Sequence, residues 1–174
     1  LPMRLFVSAG EPSGDLHGAN LIRSLQALRP GIDFCGFGGE RMAAAGCQLV
    51  YPLVDHAVVG LARAVKSLPQ FAAILRRADR FFRQEKPDAL VMIDFPGFHW
   101  WLAKRARQHR IPVLYFVPPQ LWAWGGWRIK KMRERVDRVL CALPFEEAWF
   151  RERGVDAQYI GHPYFDELRA QLVE

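Results

Sequence analysis

The chain has 174 residues, 51% of them hydrophobic, and a net charge of +6 carried mostly by arginine. That is enough length and apolar content for one domain with its own core, and it excludes a disordered chain. No apolar run approaches the roughly 20 residues of a membrane-spanning helix, the first strand leaves no room for a signal peptide, and the charge calls for phosphate, nucleic acid or an anionic membrane face as partner.

"RLFVSAG" (4–10) is a short apolar run with a glycine stop and reads as a buried strand. "DLHGANLIRSLQALRP" (15–30) carries an apolar stripe of Leu16, Ala19, Leu21, Ile22, Leu25 and Leu28, a helix closed by Pro30 and Gly31. "IDFCGFGG" (32–39) predicts a second strand, "ERMAAAG" a short helix and "CQLVYPL" a third strand. The segment 67–87 predicts a long helix, with Leu68, Phe71, Leu75, Ala78 and Phe82 on one side and Arg76, Arg77, Arg80 and Arg83 on another. Strand 88–95, helix 97–110, strand 111–117, helix 125–136, strand 137–143, helix 144–154 and strand 156–161 follow, and "DELRAQLVE" starts a last helix.

The strands are apolar throughout and alternate with helices. That pattern predicts an α/β, Rossmann-like parallel sheet with helices on both faces. Cys35, Cys47 and Cys141 are odd in number and lack a CxxC spacing, so they read as buried, reduced thiols of a cytosolic, soluble chain. Among the five histidines there is no HExxH or HxH pairing, so no metal is expected.

In such a sheet, ligands gather outside the C-terminal strand ends. Three strands end there in unusual residues: "GEPSGD" (10–15), "DFPGFHWW" (94–101) and "PPQLWAWGGW" (118–127). In the first, Ser13 or Asp15 can cap the following helix, while Gly10 and Gly14 let backbone approach a ligand at a helix N-terminus that favours an anion. It is neither GxGxxG nor a Walker loop. Asp94 ends an apolar strand. It is either a general base for a hydroxyl, with its pKa raised by burial, or a buried brace for the next loop. Trp122, Trp124 and Trp127 are either core or an aromatic platform for a sugar or apolar chain, with Arg128 beside them for a phosphate. His17 and His99 lie near this edge, as phosphate ligands or as structural side chains.

"SAGEPSGDLHGANLI", "KPDALVMIDFPGFHWWLAK", "PPQLWAWGGWRIKKM", "LPFEEAWFRERG" and "YIGHPYFDEL", in that order, resemble the N-terminal half of the lipid-A-disaccharide synthase family, from about residue 4 to residue 168. The resemblance implies one half of a GT-B fold and an inverting glycosyltransferase that joins UDP-2,3-diacylglucosamine to 2,3-diacylglucosamine 1-phosphate. It implies work at the cytoplasmic face of the inner membrane, peripherally bound, and no cofactor. It carries the catalytic base onto Asp94 and substrate binding onto Gly10, Glu11, Ser13, Gly14, Asp15, Gln120, Trp122, Trp124 and Arg128. Residues 57–77, apolar and followed by arginines, suit a membrane face and equally a half-buried helix. The chain departs from the family pattern at Arg63 or Ala64, at Gly97 and His99, and at Pro118.

The family's nucleotide-sugar site lies mainly in a C-terminal domain with a Gly-Ser-Arg loop, which these residues do not contain. Residues 1–174 are thus expected to form a single N-terminal domain without that second one, completed by a partner chain or a homo-oligomer, and to transfer no sugar alone. A non-catalytic binding module for an acylated sugar phosphate is the alternative. A nucleotide-binding oxidoreductase lacks its GxGxxG, and nucleic-acid binding is disfavoured because acidic residues interrupt the arginines.

Overall fold

The structure is a computed structural model and describes residues 1–55 and 68–173. Its elements run β1 (Arg4–Ala9), α1 (Pro12–Leu28), β2 (Asp33–Phe37), α2 (Glu40–Ala44), β3 (Gln48–Tyr51), α3 (Leu68–Glu85), β4 (Ala89–Ile93), α4 (Pro96–Gln108), β5 (Val113–Phe116), α5 (Ile129–Arg135), β6 (Arg138–Cys141), α6 (Pro144–Arg151), β7 (Ala157–Tyr159) and α7 (Tyr164–Val173). A 3₁₀ turn at Gly126–Arg128 leads into α5, so the expected helix 125–136 is two pieces.

The strands form one seven-stranded sheet in the order β3-β2-β1-β4-β5-β6-β7, and every neighbouring pair is parallel. Strands buried on both faces read as unbroken apolar runs, which is why the sequence shows no alternation. Side chains alternate between two apolar clusters. Phe6, Leu90, Met92 and Tyr115 join one, with Phe82 of α3, Leu102 of α4, Met132 of α5 and Phe150 of α6. Val7, Ala9, Val91 and Ile93 join the other, with Ile22 of α1 and Met42 of α2.

Two helical stripes overrun their sheet. Leu28 is 82% exposed and Leu68 is 65% exposed, although both were expected inside. A 17-residue α1 spans roughly 25 Å, whereas the six residues of β1 span roughly 20 Å. The terminal turn therefore overhangs the core. In the stretch 57–77, left open between a membrane face and a half-buried helix, Ile74 is buried in the core beside Leu75, in favour of the half-buried helix at that position. The remainder of that membrane reading, residues 57–67 with Arg63 and Ala64, lies outside the described residues.

Cys35, Cys47 and Cys141 are all free and buried, and burial pushes each thiol up to about 12. No helix among the described residues is long and apolar enough to cross a membrane.

The expected capping of α1 is corrected. Its N-cap is Glu11, which makes no side-chain cap bond, and the helix starts at Pro12. Asp15 lies in the first turn and caps a different helix. Its Oδ1 accepts the backbone N–H of Gly39 (2.9 Å) and Met42 (3.1 Å), and its Oδ2 that of Arg41 (3.1 Å). The carboxylate thus satisfies the free donors at the start of α2, which has no cap of its own. Gly39 leaves the room, because a Cβ there would lie 2.7 Å from Asp15 Oδ2.

Asp15→Ala removes all three acceptor contacts at once. It should lower the unfolding free energy by about 2–3 kcal/mol in urea denaturation; a loss below about 0.5 kcal/mol would contradict this cap.

Candidate active site

The winding of the sheet reverses at its centre. From β1 the chain crosses through α1 to β2 on one side; from β4 it crosses through α4 to β5 on the other. A crevice opens at the C-terminal ends of two strands that part in this way. Ala9 and Ile93 pair in register at that rim, and Ile93 pairs with Phe116. Residues 10–15, 94–101 and 118–127 therefore follow three adjacent strand ends, as the sequence predicted.

Asp94 is the first residue past β4. Its N–H donates to the Val117 carbonyl at 3.1 Å, which carries the ladder one residue beyond the strand. It then turns into the left-handed region with φ 43°, followed by Phe95 at 52°. Such conformations are sparsely occupied by non-glycine residues and need support. The support falls on the Asp94 carbonyl, which accepts from Tyr115 Oη at 2.7 Å and from His99 Nδ1. His99 Nε2 in turn accepts from Ser8 Oγ at 2.8 Å.

The Asp94 carboxyl is half-buried. Burial raises its pKa above the ordinary 3.8, against a lowering by the Phe95 N–H and by His17. Glu11 shares its surroundings: burial and then the Asp94 charge hold the Glu11 carboxyl above its usual value. His17 of α1 is pushed down by burial and by His162, partly offset by Asp94 and Glu167. The segment after β7 reaches this place as well, because Asn20 Nδ2 on α1 donates to Glu167 Oε2 on α7 at 3.3 Å.

The glycines of the first loop are also required by packing. A Cβ on Gly10 would lie 2.2 Å from the Phe95 ring, and one on Gly14 would lie 3.2 Å from the Ala9 Cβ. Gly10 admits the Phe95 ring and Gly14 brings α1 against the sheet. Ser13 is exposed on the first turn of α1. The N–H groups of Ser13 and Gly14 have no intrahelical partner, Pro12 has no N–H, and the Asp15 N–H is the first bonded within the helix, to the Glu11 carbonyl. Asp15 faces away, onto α2.

In the third loop Leu121 is the core anchor at 1% exposure, while Trp122, Trp124 and Trp127 lie on the surface. The core reading of the tryptophans is therefore set aside. Trp122 packs edge-on to Phe145 with centroids 4.8 Å apart, and the nearby buried Glu146 accepts the Leu143 N–H on Oε1 at 3.1 Å while burial raises its carboxyl above the ordinary value. Gln120 is exposed, and its carbonyl accepts the N–H of Ala123 and Trp124, forming the turn. The Arg128 guanidinium lies 4.8 Å from the centre of the Trp127 ring. Gly125 starts the 3₁₀ turn with φ 84°, a conformation glycine adopts without strain.

His99 is fully buried, so the reading of it as a phosphate ligand is overturned in favour of the structural one. Sequence reading also passed over Ser8, Phe95 and Tyr115. The signal was present in Ser8, a polar residue inside an apolar strand. Among the described residues no group of three or more His, Cys, Asp or Glu is arranged to hold a metal ion. The cavity lined by Arg4, Asp33, Cys35 and Glu85 opens at the opposite end of the strands and shares no residue with this rim.

The family model described as lipid-A-disaccharide synthetase matches residues 5–172, and the chain belongs to that family. It is 46% identical over 166 residues to the lipid-A-disaccharide synthase of Koribacter versatilis, covering 92% of this chain and 42% of that protein. It is 40% identical over 171 residues to that of Trichlorobacter lovleyi, covering 98% of this chain and 45% of that protein. The chain thus spans less than half the length of these relatives. Among solved structures it resembles UDP-N-acetylglucosamine 2-epimerase from Rickettsia bellii (TM-score 0.67, 12% identity, all of this chain and 49% of that one). It also resembles Arabidopsis thaliana UGT89C1 complexed with UDP (TM-score 0.52, 14% identity, 92% of this chain and 49% of that one). These last two show a shared fold, the Rossmann-like half of GT-B proteins.

His99 sets an acid dependence of stability. Burial, partly offset by its bond to the Asp94 carbonyl, lowers its pKa from 6.5 to about 4. Between those values the unfolded chain binds a proton that the folded chain does not. The stability is complete above about pH 7 and falls on acidification, by at most about 1.4 kcal/mol per pH unit. The raised carboxyls of Asp94, Glu11 and Glu146 act in the opposite sense, so a comparison isolates the histidine. His99→Asn should reduce the stability difference between pH 7.5 and pH 5 by about 1–2 kcal/mol in urea titrations; an unchanged difference would contradict a neutral, buried His99.

Proposed function

We propose that this chain is the acceptor-side half of an inverting glycosyltransferase that moves 2,3-diacylglucosamine from UDP to the 6-hydroxyl of 2,3-diacylglucosamine 1-phosphate, with Asp94 as the base. The observation that carries this reading is the position of Asp94. It is a half-buried carboxyl with a raised pKa, at the end of a central strand, on the rim where the winding of the sheet reverses.

As the acceptor O6 approaches the anomeric carbon, its proton passes to the Asp94 carboxylate. The new C–O bond forms on one face while the bond to UDP breaks on the other, and the pair of electrons leaves with UDP. Burial suits Asp94 to this step, because a carboxylate of raised pKa is a stronger base at neutral pH. Its negative charge also stabilises the oxocarbenium character that develops at the anomeric carbon. Glu11, within electrostatic reach of Asp94, offers a second acceptor for sugar hydroxyls.

The acceptor phosphate is matched by the free Ser13 and Gly14 N–H groups at the start of α1 and by Arg128. Trp122 and Trp124, exposed beside the rim, suit an apolar or stacking surface for the acylated sugar, with Gln120 at the turn between. Gly10 and Asp15 serve the same site indirectly, one by seating Phe95 and the other by bracing α2. The donor nucleotide is assigned to residues beyond this chain, in a second domain or a partner. A peripheral position at the cytoplasmic membrane face follows from the acylated substrates, with the exposed Arg76, Arg80 and Arg83 of α3 available to anionic lipid.

In a protein carrying both halves, Asp94→Asn should lower kcat by about 10²–10⁴-fold with little change in KM. The native rate should fall as pH drops through the raised Asp94 pKa, since protonation removes the base. The 174 residues alone should transfer no labelled sugar. An Asp94→Asn protein that keeps its rate would refute the base. Retained acceptor affinity without any turnover of the native two-half protein would favour the binding module instead.

A further inference from the structure

We propose that His99 and Tyr115 are positioning residues for Asp94, donating together to its main-chain carbonyl and so holding the left-handed turn that delivers its carboxyl to the rim. The proposal rests on the reading of Asp94 as base and adds the device that aims it.

The geometry is specific. β4 ends at Ile93, and an extended residue 94 would continue along the strand. Asp94 and Phe95 instead take φ 43° and 52° in succession. Consecutive left-handed non-glycine residues cost roughly 1–2 kcal/mol each, so something must repay them. A carbonyl oxygen has two lone pairs, and here both are used: Tyr115 Oη donates from β5 at 2.7 Å, and His99 Nδ1 donates from the first turns of α4. Ser8 of β1 completes the set by donating its hydroxyl to His99 Nε2 at 2.8 Å. A carbonyl can only accept, so the proton of the neutral imidazole sits on Nδ1 and Nε2 is left to receive the Ser8 hydroxyl.

Ser8, His99 and Tyr115 are each 0% exposed. Packing alone would be served as well by Ala, Leu and Phe, without the desolvation of three polar groups. What the polar set adds is one fixed orientation. The strand before Asp94, the two strands beside it and the helix after it all bear on one oxygen atom. Phe95, the second left-handed residue, is held in turn by the space over Gly10.

The test has two arms. In the 174-residue chain, the Asp94 ¹³C carboxyl titration is followed by NMR and assigned by its loss in Asp94→Asn. Tyr115→Phe removes one donor at nearly constant volume; His99→Leu removes the other, and His99→Asn returns a short N–H donor. Release of the turn should let water reach the carboxyl, so its midpoint should fall by about 0.5 pH or more in Tyr115→Phe and His99→Leu. His99→Asn should restore much of it.

In a protein with both halves, the same two variants should lower kcat about tenfold or more with KM within about twofold, and His99→Asn should recover most of the rate. A residue that served stability alone would lower the thermal midpoint and leave the Asp94 titration where it was. An unchanged titration in Tyr115→Phe overturns the proposal whatever the rate does, and this variant decides the matter if His99→Leu fails to fold. Should Asp94→Asn leave transfer intact, the reading of Asp94 as base falls, while the carbonyl clamp is still judged by the titration.

Discussion

The parallel pairing of β1 with β4 is the constraint on which the rest depends. These strands are 84 residues apart in sequence at Leu5 and Ala89 but adjacent in the sheet. Because the chain leaves them in opposite directions, the loops that follow are not pulled over the same helix, and a rim is left open between them. Glu11 and Asp94 take their places from that one pairing, and the loop after β5 joins them through the pairing of β4 with β5. The helices α1 and α4 begin on either side of it, so both of their N-terminal dipole ends border the crevice.

Polarity at this rim is graded by depth. At the bottom, His99 and Tyr115 are held neutral by burial and spend their donors on a main-chain oxygen. Above them, Asp94 and Glu11 are half-shielded carboxyls whose charges oppose each other. Beyond these the tryptophan-bearing loop is exposed. A rim of this kind braces the Asp94 main chain from below while leaving its outer wall open to solvent.

Much of the architecture was legible because it depends on local pattern. Continuous apolar runs separated by helical stripes admit few arrangements other than a covered parallel sheet, and the loops at the strand ends then share an edge by topology alone. Asp94 stood out because a carboxyl directly after "LVMI" conflicts with its surroundings unless it is used. What could not be read were pairings made across the sheet. Asp15 looks like a cap for its own helix, and only the fold brings the start of α2, 24 residues later at Gly39, within its reach. His99 could be assigned to a helix but not to the side of it that meets Ser8, 91 residues away. Gly10 carries the ordinary signature of a ligand loop, yet its small size answers a phenyl ring from another segment.

That last contact has an evolutionary consequence. With the Phe95 ring 2.2 Å from where a Cβ would stand on residue 10, the two positions behave as one locus. A side chain gained at 10 must be matched by bulk lost at 95, and bulk lost at 95 alone leaves a void beneath the turn that carries Asp94. Drift at either position is therefore tied to its opposite number, and lineages should exchange the pair together rather than one member at a time.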